Sequence, residues 1–530
     1  MRRNSQTCVR AALLLACANT ATISLAQFSG VTAAPSQSSG EVMHAPYFYA
    51  DATTTARIRL VNLGAEDDYV GVRAALGGTS WLDLGSFPVP ALQHADIPLN
   101  GVVPPGAQPG APGAWGDGSI AGSTWGSLEV HSATGGSLGW VETLAPDKSL
   151  VMGSELGFIP PLAELAAVWW KPTAEARVLF ALQNASPAEL DVDARVLLGG
   201  AVVQATPVRI GPGQARLIPL ADLAPATLGA PGAGSVQFSV AGGDPALRVN
   251  MLLVDDRAGF AEHFGVHPVP GAGPHAARHL TALPAGPADT AQGFPAGLFF
   301  EPLWIASNPS AQPAPVVLTV SSAAGQRESF PLELRPFETR VVKLLDLWRA
   351  RRSAGYSGGH LGLSYEQAGA GPGILAEAIA VSAGALQPLK YSFFTPFETV
   401  AAGDGESTWS SVEFNLTGGR NSSLVLRNVS DRKATATYAI QHTGRGEREY
   451  VAQVALAPFE IAVVDLAELR DLQVPDASGQ LLPLNLETGF VLVQKPHPVI
   501  FAVPVIDPQR GTCAEGCDDE IVEESLIVTG

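Results

Sequence analysis

Four of the ten histidines of this 530-residue chain are gathered in one stretch, as His263, His267, His275 and His279. Two His-x-x-x-His spacings are a zinc-ligand pattern. The spacing brings both rings to one side only on a helix. Pro268, Pro270 and Pro274, with Gly265, Gly271 and Gly273, argue against a helix here. A metal site therefore needs a loop wrapped around the ion, and the plainer reading is a solvent-exposed connection. Gly355-Tyr356-Ser357-Gly358-Gly359 has the G-x-S-x-G form of serine hydrolases. That chemistry requires a strand before the serine and a helix after it. Here the charged stretch Arg349 to Arg352 precedes it and a strand is expected to follow, so a turn is the better reading. Asp191-x-Asp193 lacks calcium-loop spacing. No Gly-Lys dipeptide exists for a P-loop and no His-Glu pair for a zincin. No catalytic residue set emerges, and no cofactor is expected.

The cysteines and aromatics have chemistry of another kind. Cys513 and Cys517 are spaced for a small local disulfide in an oxidising compartment. Cys17, in Leu14-Leu15-Ala16-Cys17, is a candidate for lipidation at a bacterial lipobox. Tyr47, Phe48 and Tyr49, then Trp169 and Trp170, Phe299 and Phe300, and Trp409 form aromatic clusters. On a surface such rings stack on sugars; between sheets they are core, and core is the preferred reading. Asn184, Asn415, Asn421 and Asn428 fit N-glycosylation sequons.

The N-terminus gives the compartment. Arg2, Arg3 and Arg10, then an apolar stretch from Ala11, then Ser24-Leu25-Ala26 before Gln27, follow the order of a secretory signal peptide over residues 1–26. Extracytoplasmic residence is expected: periplasm, cell surface or secreted. A net charge of −18 opposes binding to nucleic acid and to anionic lipid. No later apolar run is long enough for a transmembrane helix, so a lipid on Cys17 is the membrane link that remains.

The elements that hold these residues repeat. Four strand-like runs end in Asn: Arg57 to Asn62, Leu179 to Asn184, Leu303 to Asn308 and Ser423 to Asn428. The Asn residues are 122, 124 and 120 positions apart. Each can bond its own backbone and start a turn. A second strand runs into Leu99, Leu220, Leu344 and Leu466, preceded in three cases by Pro212, Pro336 and Pro458. A third opens on Gly126, Gly234, Gly359 and Gly489. Strand-like runs with turn signals every 8–12 residues or so point to an all-β sandwich. Leu344 to Arg352 and Leu466 to Leu472 are expected to add a turn or two of helix.

These units resemble the immunoglobulin-like repeats of bacterial secreted and surface proteins. The resemblance implies an architecture: four tandem immunoglobulin-like β-sandwich repeats at 42–161, 162–271, 298–400 and 407–508. Residues 272–297, rich in Gly, Ala and Pro, are read as a linker dividing the repeats into two pairs. Residues 509–530 are read as an acidic tail. The expected function is a non-catalytic structural, adhesive or protein-binding role in the envelope, with an envelope or extracellular protein as partner. A carbohydrate-binding or enzyme-accessory module is the alternative, followed by a metal-binding protein using the histidine stretch. Loops of repeats one and four, which are longer, are where specificity is expected.

Overall fold

The structure, a computed structural model, describes most of residues 42–506 and the pair Ile521–Val522, with its longest internal breaks at 100–123 and 507–520. The leader region 1–26 with Cys17, the long loop 100–123 of repeat one, Cys513 and Cys517 lie outside the described residues.

The described chain is nearly all strand, and one strand order recurs four times. The first set is β1 (Val42–Ala50), β2 (Thr55–Asn62), β3 (Asp68–Leu76), β4 (Leu82–Val89), β5 (His94–Pro98), β6 (Thr124–Ser132), β7 (Ser137–Leu144) and β8 (Leu150–Glu155). It forms two antiparallel sheets, β1-β6-β3-β4 and β5-β2-β7-β8. The second set is β9 (Glu164–Lys171), β10 (Arg177–Asn184), β11 (Leu190–Leu198), β12 (Ala201–Gln204), β13 (Val208–Ile210), β14 (Ala215–Pro219), β15 (Gly232–Val240), β16 (Leu247–Asp255), β17 (Phe260–Phe264) and β18 (Val266–Pro268). Its sheets are β12-β11-β15-β9-β18 and β14-β10-β16-β17.

The third set is β19 (Arg278–Pro287), β20 (Phe299–Ser307), β21 (Ala314–Ser322), β22 (Arg327–Leu334), β23 (Thr339–Lys343), β24 (Gly359–Gln367), β25 (Leu375–Ala383), β26 (Pro388–Phe394) and β27 (Glu398–Thr399). Here β22-β21-β24-β19 continues into β20-β25-β26, because the end of β19 also pairs with β20; β23 flanks β20. The fourth set is β28 (Thr408–Asn415), β29 (Asn421–Asn428), β30 (Ala434–His442), β31 (Tyr450–Leu456), β32 (Ile461–Asp465), β33 (Thr488–Lys495), β34 (Val499–Ala502) and β35 (Val505–Ile506). Its sheets are β28-β33-β30-β31 and β32-β29-β34. A last strand, β36 (Ile521–Val522), pairs parallel to β26. In each set the sheet holding the first strand is called the first sheet, and the sheet holding the Asn-ended strand the second sheet.

Each landmark of the sequence has a structural reason. Asn62, Asn184, Asn308 and Asn428 are fully buried. Each Nδ2 donates to the carbonyl four residues on, of Glu66, Ala188, Gln312 and Arg432, at 2.6–2.7 Å. Each also donates to a carbonyl beyond the next hairpin, of Val89, Ile210, Leu334 and Ala457, at 3.0–3.2 Å. One amide thus closes the turn after its own strand and ties it to a distant one. Two sequon asparagines, Asn184 and Asn428, are therefore committed inside the fold. Pro212, Pro336 and Pro458 sit second in turns closed by Gln214, Glu338 and Glu460 bonding back three residues, at 3.1–3.2 Å. The residue after each Pro takes positive φ: Gly213 (64), Phe337 (58) and Phe459 (61). This is the turn type that Pro and a left-handed third residue make together. Leu99, Leu220, Leu344 and Leu466 follow strands β5, β14, β23 and β32 and are buried. Leu220, Leu344 and Leu466 open α1 (Leu220–Leu223), α2 (Leu344–Arg351) and α3 (Leu466–Asp471), the last two where short helices were expected.

One expectation is corrected. Residues 272–297 are not a structureless linker, because Arg278–Pro287 form the ten-residue strand β19. Its small residues are there for packing: Ala285 is in the core and Ala282 packs on Val425 and Ile461 of the fourth set. The division into two pairs falls with the linker, since the second and third sets share one apolar cluster in which Leu303, Ile305 and Ile379 join Trp169, Val236 and Phe238. No helix among the described residues is long and apolar enough to cross a membrane.

Candidate functional site

The histidines are not brought together. His267, on β18, shares a 2.5 Å contact with the carboxylate of Glu377 on β25. His279, on β19, contacts Ser364 Oγ at 2.8 Å through Nδ1. His275 lies between them in sequence, its Nε2 buried without a hydrogen-bond partner. The backbone of His263 pairs with Leu252, and its side chain lies outside the described residues. Among the described residues no group of three or more His, Cys, Asp or Glu is placed to hold a metal ion. The G-x-S-x-G segment leads into strand β24 and follows helix α2, the reverse of a nucleophile elbow. Ser357 is outside the described residues; beside it, Tyr356 Oη donates to the His360 carbonyl at 2.6 Å and Gly358 and Gly359 take φ of 102 and 112.

Of the clustered aromatics, Trp170 and Phe299 are half-buried, and the side chains of Tyr47, Tyr49 and Trp409 lie outside the described residues. Phe48, Trp169 and Phe300 are at most 1% exposed. Phe48 and Trp169 lie opposite Gly126 and Gly234 in register, and Phe414 lies opposite Gly489. A Cβ on Gly126, Gly234 or Gly489 would fall within 3.0 Å of that aromatic ring. Glycine is needed there so that a ring can lie on the backbone. In the third set the same place holds Leu283 opposite Leu361, so Gly359 stands two positions before the true counterpart.

The polar chemistry of the molecule lies instead where one set meets the next. Before three of the corner Asn residues, Gln183, Ser307 and Arg427 point away from their own core. Gln183 Nε2 donates to Ser127 Oγ of the first set at 3.2 Å, both side chains fully buried. Ser307 Oγ donates to Ser235 Oγ of the second set at 2.8 Å, and also accepts from Thr339. Arg427, 1% exposed, enters the third set. It donates to the Leu363 carbonyl at 2.7 Å, to Ser321 and Ser364 Oγ at 3.0 Å each, and to the Leu280 carbonyl. Ser127, Ser235 and Gly362 are equivalent positions, each one residue after the counterpart of Gly126. A Cβ on Gly362 would lie 2.5 Å from Arg427 Nε, so glycine makes room for the guanidinium. In each junction the second sheet of one set covers the first sheet of the set before it.

Several buried charged groups also lie at these junctions. At the first, Glu129 binds Arg73 and His131, and its carboxyl is held below the usual range despite burial, chiefly by hydrogen bonds from those two. His44, 4% exposed, is pushed down to about 3 by burial, then by the positive charge of Arg248 from the second set. At the third, burial lowers His279 to about 4, with Arg427 and Arg327 adding to the effect. Arg327 also stacks its guanidinium 3.9 Å above the Phe459 ring. That stacking uses the left-handed turn of the fourth set, whose Ile461 N–H donates to the Ala323 carbonyl at 3.0 Å.

The sequence carries a signal for these contacts in its doubly buried strands. Strand β10 is buried along nearly its whole length on both faces, and so is β29. A sandwich strand with one wet face alternates apolar and polar, while one covered on both faces reads as a continuous run. Leu179 to Gln183 is such a run, and a buried polar residue inside it needs a partner beyond its own set.

No family model matches the chain, and no curated protein matches it either. Among solved structures, one match is the crystal structure of Streptomyces avermitilis alpha-L-rhamnosidase complexed with L-rhamnose, at 10% identity and a TM-score of 0.10. The match covers 82% of this chain and about half, 53%, of that one, and at that TM-score it carries no argument about fold or activity.

Proposed function

We propose that this chain is a non-catalytic extracytoplasmic scaffold, four immunoglobulin-like sandwiches stacked in fixed order, that presents a docking surface to another envelope or extracellular protein. The observation that carries the reading is the set of three buried, individually matched junctions, Gln183–Ser127, Ser307–Ser235 and Arg427–Gly362. They tie each sandwich to the one before it through buried polar contacts. The immunoglobulin-like reading draws on strand pairing: second with fifth, and third with sixth, as in that fold. The first and seventh strands exchange sheets relative to it.

The surface best suited to a protein partner is the loop after α3. Leu472, Leu481 and Leu484 are 62%, 42% and 68% exposed. The loop is nonetheless fixed by its own bonds: Asp476 accepts from Ser478, Gln480 and Val451, and Gln473 Nε2 donates to the carbonyls of Arg470 and Leu482. Rigid exposed leucines cost little ordering entropy on binding. The test is affinity capture from the envelope fraction by the natural chain and by Leu481→Asn/Leu484→Asn. A protein recovered by the first and lost by the second supports the reading. Equal recovery by both, or mature protein found only in the cytoplasm, overturns it.

A further inference from the structure

In the first three sets the second sheet runs on past the strand that pairs with the Asn-ended one. The added strand is β8 after β7, β17 after β16 and β26 after β25. Strand β17 lies beside both β8 and β26, so the three strands form one seam. The fourth set breaks the series. Its second sheet is β32-β29-β34, with β35 also on β29, and no described strand lies beyond β34.

The next described strand after β35 is β36, and it is not on the fourth sandwich. It pairs with β26 of the third, in parallel, with Ile521 opposite Tyr391 and Val522 opposite Ser392. It also lies beside β8 and β17, so this one short strand meets all three strands of the seam. A sheet edge offers unpaired N–H and C=O groups to any extended backbone. Adding a strand to such an edge is a recurrent way of binding a peptide. The sequence suits the place: Ile and Val are strand formers. The acidic run Asp518-Asp519-Glu520 comes just before Ile521, and Lys390 just before Tyr391. A ladder this short is weak as a free peptide. Covalent attachment through 507–520 offsets the weakness, because a short linker holds its two ends at an effective concentration on the order of millimolar. The contact is therefore made within the chain and can be displaced by a strand that pairs better.

We propose that the seam of β8, β17 and β26 is a docking edge for an extended strand, and that β36 is its resident occupant within the same chain. The ligand it takes is a short extended segment with β-branched residues beside acidic ones. Release of β36 frees the edge of β26 for a segment of that chemistry on a partner. Two observations select β36 as the occupant: it already pairs there, and the fourth sandwich has no described strand where the other three each have one. The proposal stands apart from the leucine loop, which belongs to the fourth set.

Two experiments on the mature chain test it. In the first, Tyr391→Cys/Ile521→Cys is made together with Cys513→Ser and Cys517→Ser, oxidised, and run without reductant. Residues directly opposite in neighbouring strands are close enough for a disulfide, so a bond within one chain is expected. In the second, a labelled peptide of residues 518–530 is titrated against the natural chain and against Ile521→Asp/Val522→Asp. The variant has lost its own occupant and is expected to bind the peptide about tenfold or more tightly than the natural chain does. Circular dichroism melts confirm that each variant is folded. A disulfide that fails to form, or forms only between chains, overturns the proposal. So does peptide binding that is equal in the two chains or absent from both.

Discussion

Asn308 makes plain how much one side chain does in this protein. Its amide donates to three carbonyls, of Gln312, Leu334 and Arg335, while its Oδ1 accepts from the N–H and hydroxyl of Ser310. Removing it takes the donor from three carbonyls, that of Leu334 in a fully buried bond. Asn308→Ala is expected to lower stability by roughly 2–4 kcal/mol, since each unsatisfied buried group costs about 1–3 kcal/mol; urea unfolding measures it, and a loss under half a kcal/mol or so would count against the corner as a structural lock. Recurrence every 120 to 124 residues made the corner readable in the sequence. Its second partner, 26 or more residues away, was not readable, because hairpin length does not appear in a local motif.

Strands with two covered faces set the interfaces at the element scale. Knob and socket vary together: Gln on Ser, Ser on Ser, Arg on Gly. The matching predicts a double-mutant outcome. Gly362→Ser should destabilise by about 1–3 kcal/mol, as overpacking of a filled site does. Adding Arg427→Gln, which copies the Gln183–Ser127 pair, should recover part of that loss, giving a coupling energy of about 1 kcal/mol or more. Additive losses in thermal or urea melts would show that the two positions do not form a pair. The all-β class, two of the short helices and the Asn, Pro and Leu landmarks were legible from periodicity and turn residues; the order of strands in each sheet and the third-set counterpart of Gly126 were not. Strand β19 was hidden because Ala282, Pro284, Ala285 and Gly286 read as linker, although small residues are what a strand crowded on both sides uses. The histidine stretch misled for the opposite reason: closeness in sequence stood for closeness in space, while β18 and β19 carry His267 and His279 to different junctions.

Across the whole molecule, stacking makes stability depend on pH at the junctions. His44 and His279 have folded values near 3 and 4, below the ordinary 6.5. Around His44 lie Arg248, Glu129, His131 and Arg73; around His279 lie Arg427 and Arg327. A histidine that resists protonation when folded costs nothing above 6.5. As pH falls below 6.5 the unfolded chain takes up protons that the folded one refuses, so stability is lost down to about 4 for His279 and about 3 for His44. At pH 5 the expected loss is about 2 kcal/mol per histidine relative to neutral pH. His279→Gln should remove about half of the fall in the urea midpoint between pH 7 and 5, leaving the part due to His44, in a range where the carboxylates Glu129 and Asp68 remain ionised. An unchanged slope in that variant would place the pH dependence elsewhere.

The unequal knobs have a consequence for how such a gene can change. Tandem repeats invite unequal recombination, which removes or adds whole units. Loss of the second repeat would set Ser307 against Ser127, chemically the same meeting as Ser307 with Ser235. Loss of the third would drive Arg427 against Ser235, where a side chain occupies the space that Gly362 leaves open. Shortened descendants of this chain should therefore lack the second unit more often than the third. A residue chosen to fill a junction also limits which relatives the protein can have.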